Sequence, residues 1–453
     1  MGVALDSEEM NRRSLLALAA TPAFAIKKQL GLRVAPFAAE VTPPLGTPLC
    51  LGLVGPGTSV SDPLEARGLV LLPEGQQPMV ICAVDWLGIG NSSHDRWRAA
   101  LAMAAGTVPS RVAVQTVHQH DAPGDDASAE ELLRMRDLPG VLQSEPFAQA
   151  ALAGVVAAVR KAKSSRVTHI GIGSSQVKEI ASNRRIVSPD GKFLFQRFTA
   201  CKGSTYCDAP VGVIDPQLDS VSFWDKERRV ATLTYYATHP MSYYGKGAIS
   251  ADFVGMARRQ QTETFAIHFT GAAGNIGAGK YNDGAPENRA KLAGRLGEAM
   301  QQARGAEKRY PVEALRWKVV SPTLPLRPEF TEERILADME NAKLIPRDRA
   351  NAGRYLAWHR LVKAGRRIDI SSLRLGAVSL LHMPGELFVE YQLAARKMRS
   401  NEAVAMAAYG DYGPMYIGTR KAYAEGGYET GIVSRVGPQV EDVLMGSMRE
   451  VLL

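Results

Sequence analysis

A series of short segments dense in Val, Ile, Leu, Ala and Thr constrains this chain more than any other feature. They run from Arg33 to Val41, Leu69 to Asp85 with a turn at PEGQQ, Val112 to Val117, His169 to Val177, Val230 to Ala237, Phe265 to Thr270, Leu373 to His382 and Ala403 to Tyr409. Several are apolar nearly throughout, the pattern of strands covered on both faces. Helix-like segments lie between them: Asp95 to Ala105, Pro146 to Lys163, Asp252 to Thr262, Glu287 to Arg304, Thr331 to Leu344, Phe388 to Met398 and Gln439 to Leu452. The order is mixed rather than strictly βαβ. It predicts an α/β (mixed α+β) fold of layered mixed sheets flanked by helices, not a regular Rossmann fold or barrel. Gly171-Ile172-Gly173 sits inside a strand and opens no helix, so no dinucleotide or phosphate loop is supported.

With 453 residues a large core is available. The net charge is +8, yet Lys and Arg are interspersed with Asp and Glu, without the basic runs and interleaved aromatics of a nucleic-acid surface. Residues 1–25 read as an export signal. Arg12 and Arg13 precede an apolar stretch from Leu15 to Ala20 and a small-x-small site at Ala23-Phe24-Ala25. The arginine pair resembles a twin-arginine signal, with translation starting at Met10 as a variant reading; an ordinary amphipathic first helix is the alternative. The expected mature chain, 26–453, is one catalytic-type unit in a bacterial periplasm or outside the cell. No other apolar run approaches the roughly 18 residues of a membrane span. Cys201 and Cys207 are the plausible disulfide pair, with buried free thiols as the alternative.

Chemistry gathers where the strands stop. VQTVHQHDAP places His118 and His120 two apart, so that both side chains of a continuing strand would face one centre. His239 follows another strand at Pro240, Glu386 follows the break at Pro384-Gly385, and Asp411, Tyr412 and Tyr416 follow a further strand. The ends of strands are where open α/β folds collect ligands. Two imidazoles, a carboxylate and a phenol make a zinc shell with a position open for water.

The sequence resembles the catalytic domain of the neutral/alkaline, non-lysosomal ceramidases, zinc amidases that split the N-acyl bond of ceramide. VHQHDAPG is similar to that family's H-T-H-S-G-P, YYATHP to its strand ending in a ligand His, GAAGNIGAG to its G-D-V-S-P-N and MPGELF to its G-E-F. The resemblance implies that His118, His239 and Glu386 hold Zn2+. It implies that His120 hydrogen-bonds the reacting carbonyl and that Arg184, in Asn183-Arg184-Arg185, holds substrate or oxyanion; a surface arginine pair is the alternative. Asn275 falls beside the substrate. Aligning YIGT on the family's Y-I-T-T puts Gly413 where the tyrosine ligand belongs, so Tyr412 or Tyr416 supplies the phenol, or the shell is three-coordinate plus water. Gly277 replaces the family's serine, which closes a covalent serine route and leaves metal-activated water as the nucleophile. The family's C-terminal immunoglobulin-like domain has no counterpart, so the amide chemistry transfers better than ceramide itself.

The expected function is therefore an exported zinc-dependent amidohydrolase acting on a small-molecule or lipid N-acyl substrate. A metal-dependent esterase or deacetylase on modified sugars, and a non-catalytic binding protein with a degenerate site, stand as alternatives. Among remaining polar residues, Asp252 reads as a helix N-cap and Asp85 as a partner of a ligand histidine. His268 reads as a packed core residue and His382 as a support for the turn leading to Glu386.

Overall fold

The computed structural model describes residues 31–138 and 140–453, so the expected export signal lies outside the described residues. Three principal sheets carry the fold. The first orders its strands Val112–Thr116, Met79–Val84, Glu65–Pro73, Leu32–Glu40 and Ser165–Val167. The second runs Phe265–Thr270, Arg228–Tyr236, Gln217–Asp225, His169–Gln176 and Lys308–Pro311. The third runs Leu315–Val320, Ile370–Leu375, Val378–His382 and Ala403–Ala407.

Each sheet is antiparallel except for one pair at its edge. Met79–Val84 is parallel to Val112–Thr116, Arg228–Tyr236 to Phe265–Thr270, and Val378–His382 to Ala403–Ala407. The three edge strands meet at the centre. Thr116 donates its N–H to the Tyr409 carbonyl at 2.8 Å and Ala408 to that of Thr270 at 2.9 Å, while the Thr270 hydroxyl donates to the Val117 carbonyl at 2.8 Å. Buried Gln115 donates its amide to the carbonyls of Met383, Ala407 and Ala408, each at 3.0 Å. Backbone groups that an edge strand would leave bare are thereby satisfied within the protein.

The continuous apolar runs have the expected cause. In Met79–Val84 every residue is buried. Met79, Ile81 and Ala83 join the large core shared with the second sheet, whereas Val80, Cys82 and Val84 join a second core under helices Asn91–Ala105 and Glu145–Lys161. This is strand alternation with both faces covered.

The mixed α/β class expected from the sequence is the class observed. The span from Leu373 to His382 begins at Ile370 and divides into two strands at Gly376, whose φ of +58° makes a tight turn. Strands Gln217–Asp225 and Leu315–Val320 and helices Ala127–Arg134 and Pro346–Lys363 were not anticipated. The expected helix from Thr331 to Leu344 ends at Glu340, and Pro346 opens the next one. Asp252 does not cap its helix. It lies at φ +53° with its carboxylate accepting from the Ser242 N–H at 3.0 Å and hydroxyl at 2.6 Å and pairing with Arg289 at 3.4 Å. The buried Arg289 guanidinium needs that charge more than the helix terminus does.

Candidate metal centre

The loops leaving the three central strands bring their polar residues together. His118 does not continue a strand as expected: Val112–Thr116 stops before it, and His118 itself has φ +74°. A left-handed non-glycine residue is strained, a condition that clusters at functional sites. Its Nδ1 lies 2.6 Å from the Leu87 carbonyl, so Nδ1 carries the proton and Nε2 presents a lone pair. His239 follows Arg228–Tyr236. Its Nδ1 lies 2.6 Å from the Ala273 carbonyl and 3.0 Å from that of Ile276, which turns its Nε2 inward too. Glu386 enters through Gly385, at φ +58°, where an added Cβ would stand 2.6 Å from the Met415 carbonyl oxygen. Gly274 likewise lies so close under Glu386 that a Cβ would meet its carbonyl oxygen at 2.4 Å, which accounts for a glycine in GAAGN.

The result is three facing acceptors. Glu386 Oε2 lies 3.3 Å from His118 Nε2 and 3.2 Å from His239 Nε2, with all three side chains at most 1% exposed. His118 Nε2 and Glu386 Oε2 have no hydrogen-bond donor. Burial, then the Arg184 guanidinium, lowers the His239 pKa to about 4, so that ring is neutral near pH 7. Acceptor lone pairs converging in a dry interior need a cation between them. Ring nitrogens of His118, His120 and His239 also lie within 4.8 Å of one another, a second grouping able to hold a metal.

The other expected site residues are distributed around this centre. Tyr412 donates its hydroxyl to Glu386 Oε1 at 2.5 Å. Tyr416 accepts from Arg184 Nη1 at 3.3 Å, and the same nitrogen lies 3.2 Å from His239 Nε2. Burial raises both phenols well above their ordinary range, so both keep their protons. His120 is 8% exposed; burial and the two neighbouring imidazoles lower its pKa well below the ordinary value. Arg184 is buried rather than part of a surface pair.

Asn275, expected beside the substrate, uses both ends of its amide elsewhere: it accepts from the Val389 N–H and donates to Glu390, each at 2.9 Å. It holds the helix that follows Glu386. Asp85 touches no histidine. Its oxygens bind Arg258 at 2.7 and 2.6 Å and accept from Gln119 at 3.0 Å, so its contact with the His118–His120 loop runs through Gln119. Asp411 pairs with Arg366 at 2.5 Å and accepts from the Asn91 N–H, bracing the loop before Tyr412.

Three neighbours escaped the sequence reading. Tyr409 stacks on His118 at 4.4 Å between ring centres, and Tyr244 meets His120 edge-on at 5.1 Å. Helix Pro346–Lys363, packed with Glu332–Glu340, walls a cavity of about 540 Å³ whose lining includes His118, His120 and Glu386. Leu51, Phe330, Ile335 and Ile432 give it apolar surface. Tyr409 and Tyr244 belong to strand-end segments and could have been sought there, whereas the charged helix carries no local signal of its role.

No protein-family model and no curated protein sequence matches this chain. Solved structures do. The structure is similar to that of a neutral ceramidase from Pseudomonas aeruginosa, with a TM-score of 0.65 and 17% identity over 94% of this chain and 74% of that one. A ceramidase complexed with C2 gives the same TM-score and identity over 93% and 75%. The chain therefore has a ceramidase-like fold.

Proposed function

We propose that this protein is a metal-dependent hydrolase of amide bonds, with zinc as its ion and an N-acyl compound as its substrate. The observation that carries the reading is the convergence of His118 Nε2 and His239 Nε2 on one carboxylate oxygen of Glu386, all buried and with neither His118 Nε2 nor Glu386 Oε2 given a donor, at the inner end of an apolar cavity. His118, His239 and Glu386 would hold the ion, with a phenol from Tyr412 or Tyr416 as the further ligand. The Tyr412 hydrogen bond fixes the Glu386 carboxylate, and the Leu87 and Ala273 carbonyls fix the two rings. A divalent ion bound there supplies a Lewis acid and lowers the pKa of water toward about 7.

His120 reaches the cavity with its Nδ1 3.2 Å from the His118 carbonyl, so its Nε2 would hydrogen-bond the tetrahedral intermediate only after taking up a proton, with Arg184 adding fixed positive charge beside it. Gly277 presents no nucleophile: a Cβ there would meet only Arg184 and Met241 carbons, at 3.4 Å and beyond. This supports water as the attacking group. Export through the N-terminal signal belongs to the same proposal, supported by the bond between Cys201 and Cys207, a linkage suited to an oxidising compartment. Among the described residues no helix is long and apolar enough to cross a membrane.

Elemental analysis of the purified protein, followed by His239→Ala, tests the metal. One zinc per chain, lost on substitution, is expected; absence of metal from the wild type would favour a binding protein. N-acyl lipids, N-acyl amino acids and acetylated sugars then test the bond. Turnover confined to esters or sugar acetates would replace the amidase reading with the esterase or deacetylase one.

A further inference from the structure

The cavity that exposes His118 and Glu386 is also lined by Arg354, on helix Pro346–Lys363, and by Arg435. Each is 2% exposed. A guanidinium carries five N–H donors. Arg354 gives one to Asn351 Oδ1 at 3.3 Å, and its buried Nε has no acceptor. Arg435 gives one to the Gly413 carbonyl at 3.0 Å. Their remaining close partners are ring faces: Arg354 lies 6.0 Å from the centre of Tyr412, and Arg435 lies 5.7 Å from that of Tyr355.

Other buried arginines are matched with acid, or, as Arg197 is, with four backbone carbonyls at 3.0 to 3.2 Å. Arg258 pairs with Asp85 and Glu65, Arg289 with Asp121 and Asp252, Arg185 with Glu425 and Glu429. Among the described residues no carboxylate lies within ion-pair distance of Arg354 or Arg435. Asp126, the nearest buried acid by its influence on both, is already engaged. Its oxygens accept from Ser128 and Asn91, each at 2.7 Å, and from the Ala129 N–H at 3.2 Å. Burial, then the adjacent Arg354 charge, lowers the Arg435 pKa to about 9, with Asp126 opposing the shift. Such a pair is costly to bury, and the cost falls once an anion reaches it.

We propose that Arg354 and Arg435 form an oxyanion subsite, so that the amide cleaved at the neighbouring centre carries a carboxylate or phosphate group, as an N-acyl amino acid or a phosphorylated N-acyl amino alcohol does. The inference rests on the amidase reading for its substrate, and it names that substrate's charge. One tyrosine ring relates the two sites: Arg354 lies over the ring of Tyr412, whose hydroxyl binds Glu386. Paired guanidinium forks suit planar or tetrahedral oxyanions, and the apolar walls of the cavity suit an acyl chain.

Binding of hydrolysis-resistant sulfonamides tests this without turnover. N-(decylsulfonyl)glycine, N-(decylsulfonyl)ethanolamine and the phosphate ester of the latter are titrated into the purified full chain by calorimetry. At least one anionic compound should bind about 10- to 100-fold more tightly than the neutral one, as charged hydrogen bonds confer. Which anion leads separates the carboxylate from the phosphate source. Arg354→Gln and Arg435→Gln should each reduce the preference severalfold. Equal binding of all three overturns the proposal, as does a preference that survives both substitutions. Should either variant fail to fold, the wild type is titrated after chelation: a preference retained assigns the anion to the arginines, and one abolished assigns it to the metal and sinks the subsite. Charge-selective binding without any amide hydrolysis would remove the amidase reading and leave the subsite standing. Amide hydrolysis without charge selectivity would do the reverse.

Discussion

His239 Nε2 lies 3.2 Å from Glu386 Oε2, although the histidine follows a strand of the second sheet and the glutamate a strand of the third. His118, after the edge strand of the first sheet, completes the group at 3.3 Å from the same oxygen. The centre is thus a junction of three sheets, and its properties follow from what fixes that junction.

Tyr412→Phe removes the only side-chain donor to Glu386 Oε1 among the described residues without opening a cavity. Partners of this kind orient metal ligands, and their loss costs about 10- to 100-fold in affinity. Zinc affinity measured by chelator competition should fall by that factor, with the melting temperature of the metal-free protein little changed.

Gln115→Leu leaves the carbonyls of Met383, Ala407 and Ala408 without the amide that now serves all three. Unsatisfied buried acceptors cost about 1–3 kcal/mol each where they find no replacement. A loss of about 3 kcal/mol in urea unfolding is expected. A loss below about 0.5 kcal/mol would show that the strand junction does not depend on this side chain.

Asp85→Asn removes the fully buried one of the two carboxylates, Asp85 and Glu65, that face Arg258, which is 4% exposed. Breaking a buried pair by neutralising one member costs about 3–5 kcal/mol, because the other charge stays buried. Chemical denaturation should show a deficit of this order, reduced in Asp85→Asn/Arg258→Met.

Protonation of two buried histidines should weaken the fold in acid. Burial lowers the pKa of His382 to about 4 and that of His268 to about 3, from 6.5. Both are neutral in the fold, where His382 meets Ser371 Oγ at 3.1 Å and His268 meets Thr234 Oγ1 at 3.0 Å. Depressed folded-state values mean that their contribution is complete above pH 6.5 and is lost as pH falls toward 4 and 3. Over these ranges His382 is worth about 3 kcal/mol and His268 about 5 kcal/mol. The unfolding free energy should therefore drop between pH 6.5 and 4, and His382→Gln should flatten the slope by about one proton.

The strands and the candidate ligands were legible because burial on two faces leaves continuous apolar runs, and the polar residues follow where those runs stop. His118, His239 and Glu386 could be nominated from Pro240, Pro384 and the H-x-H spacing. Their distances could not, since the meeting depends on three edge strands joined through Gln115 and Thr270, residues with no distinguishing local pattern. Asn275 was legible as part of a strand-end segment, but its amide direction is a property of the helix it braces. Helix Pro346–Lys363 was missed because its charged residues and Gly353 obscure any apolar stripe. Arg354 within it is distinguished only by the counter-charge that its surroundings lack.

The three-way meeting of sheet edges also dictates when the pocket can exist. Its last contributing strand, Ala403–Ala407, and the tyrosines beyond it come late in the chain. During synthesis the earlier two sheets can assemble with their histidines in place, yet the carboxylate and the loop that clamps it have still to arrive. The centre that includes Glu386 is therefore complete only once the third sheet has formed, and a chain truncated before that sheet would carry His118, His120 and His239 without the carboxylate.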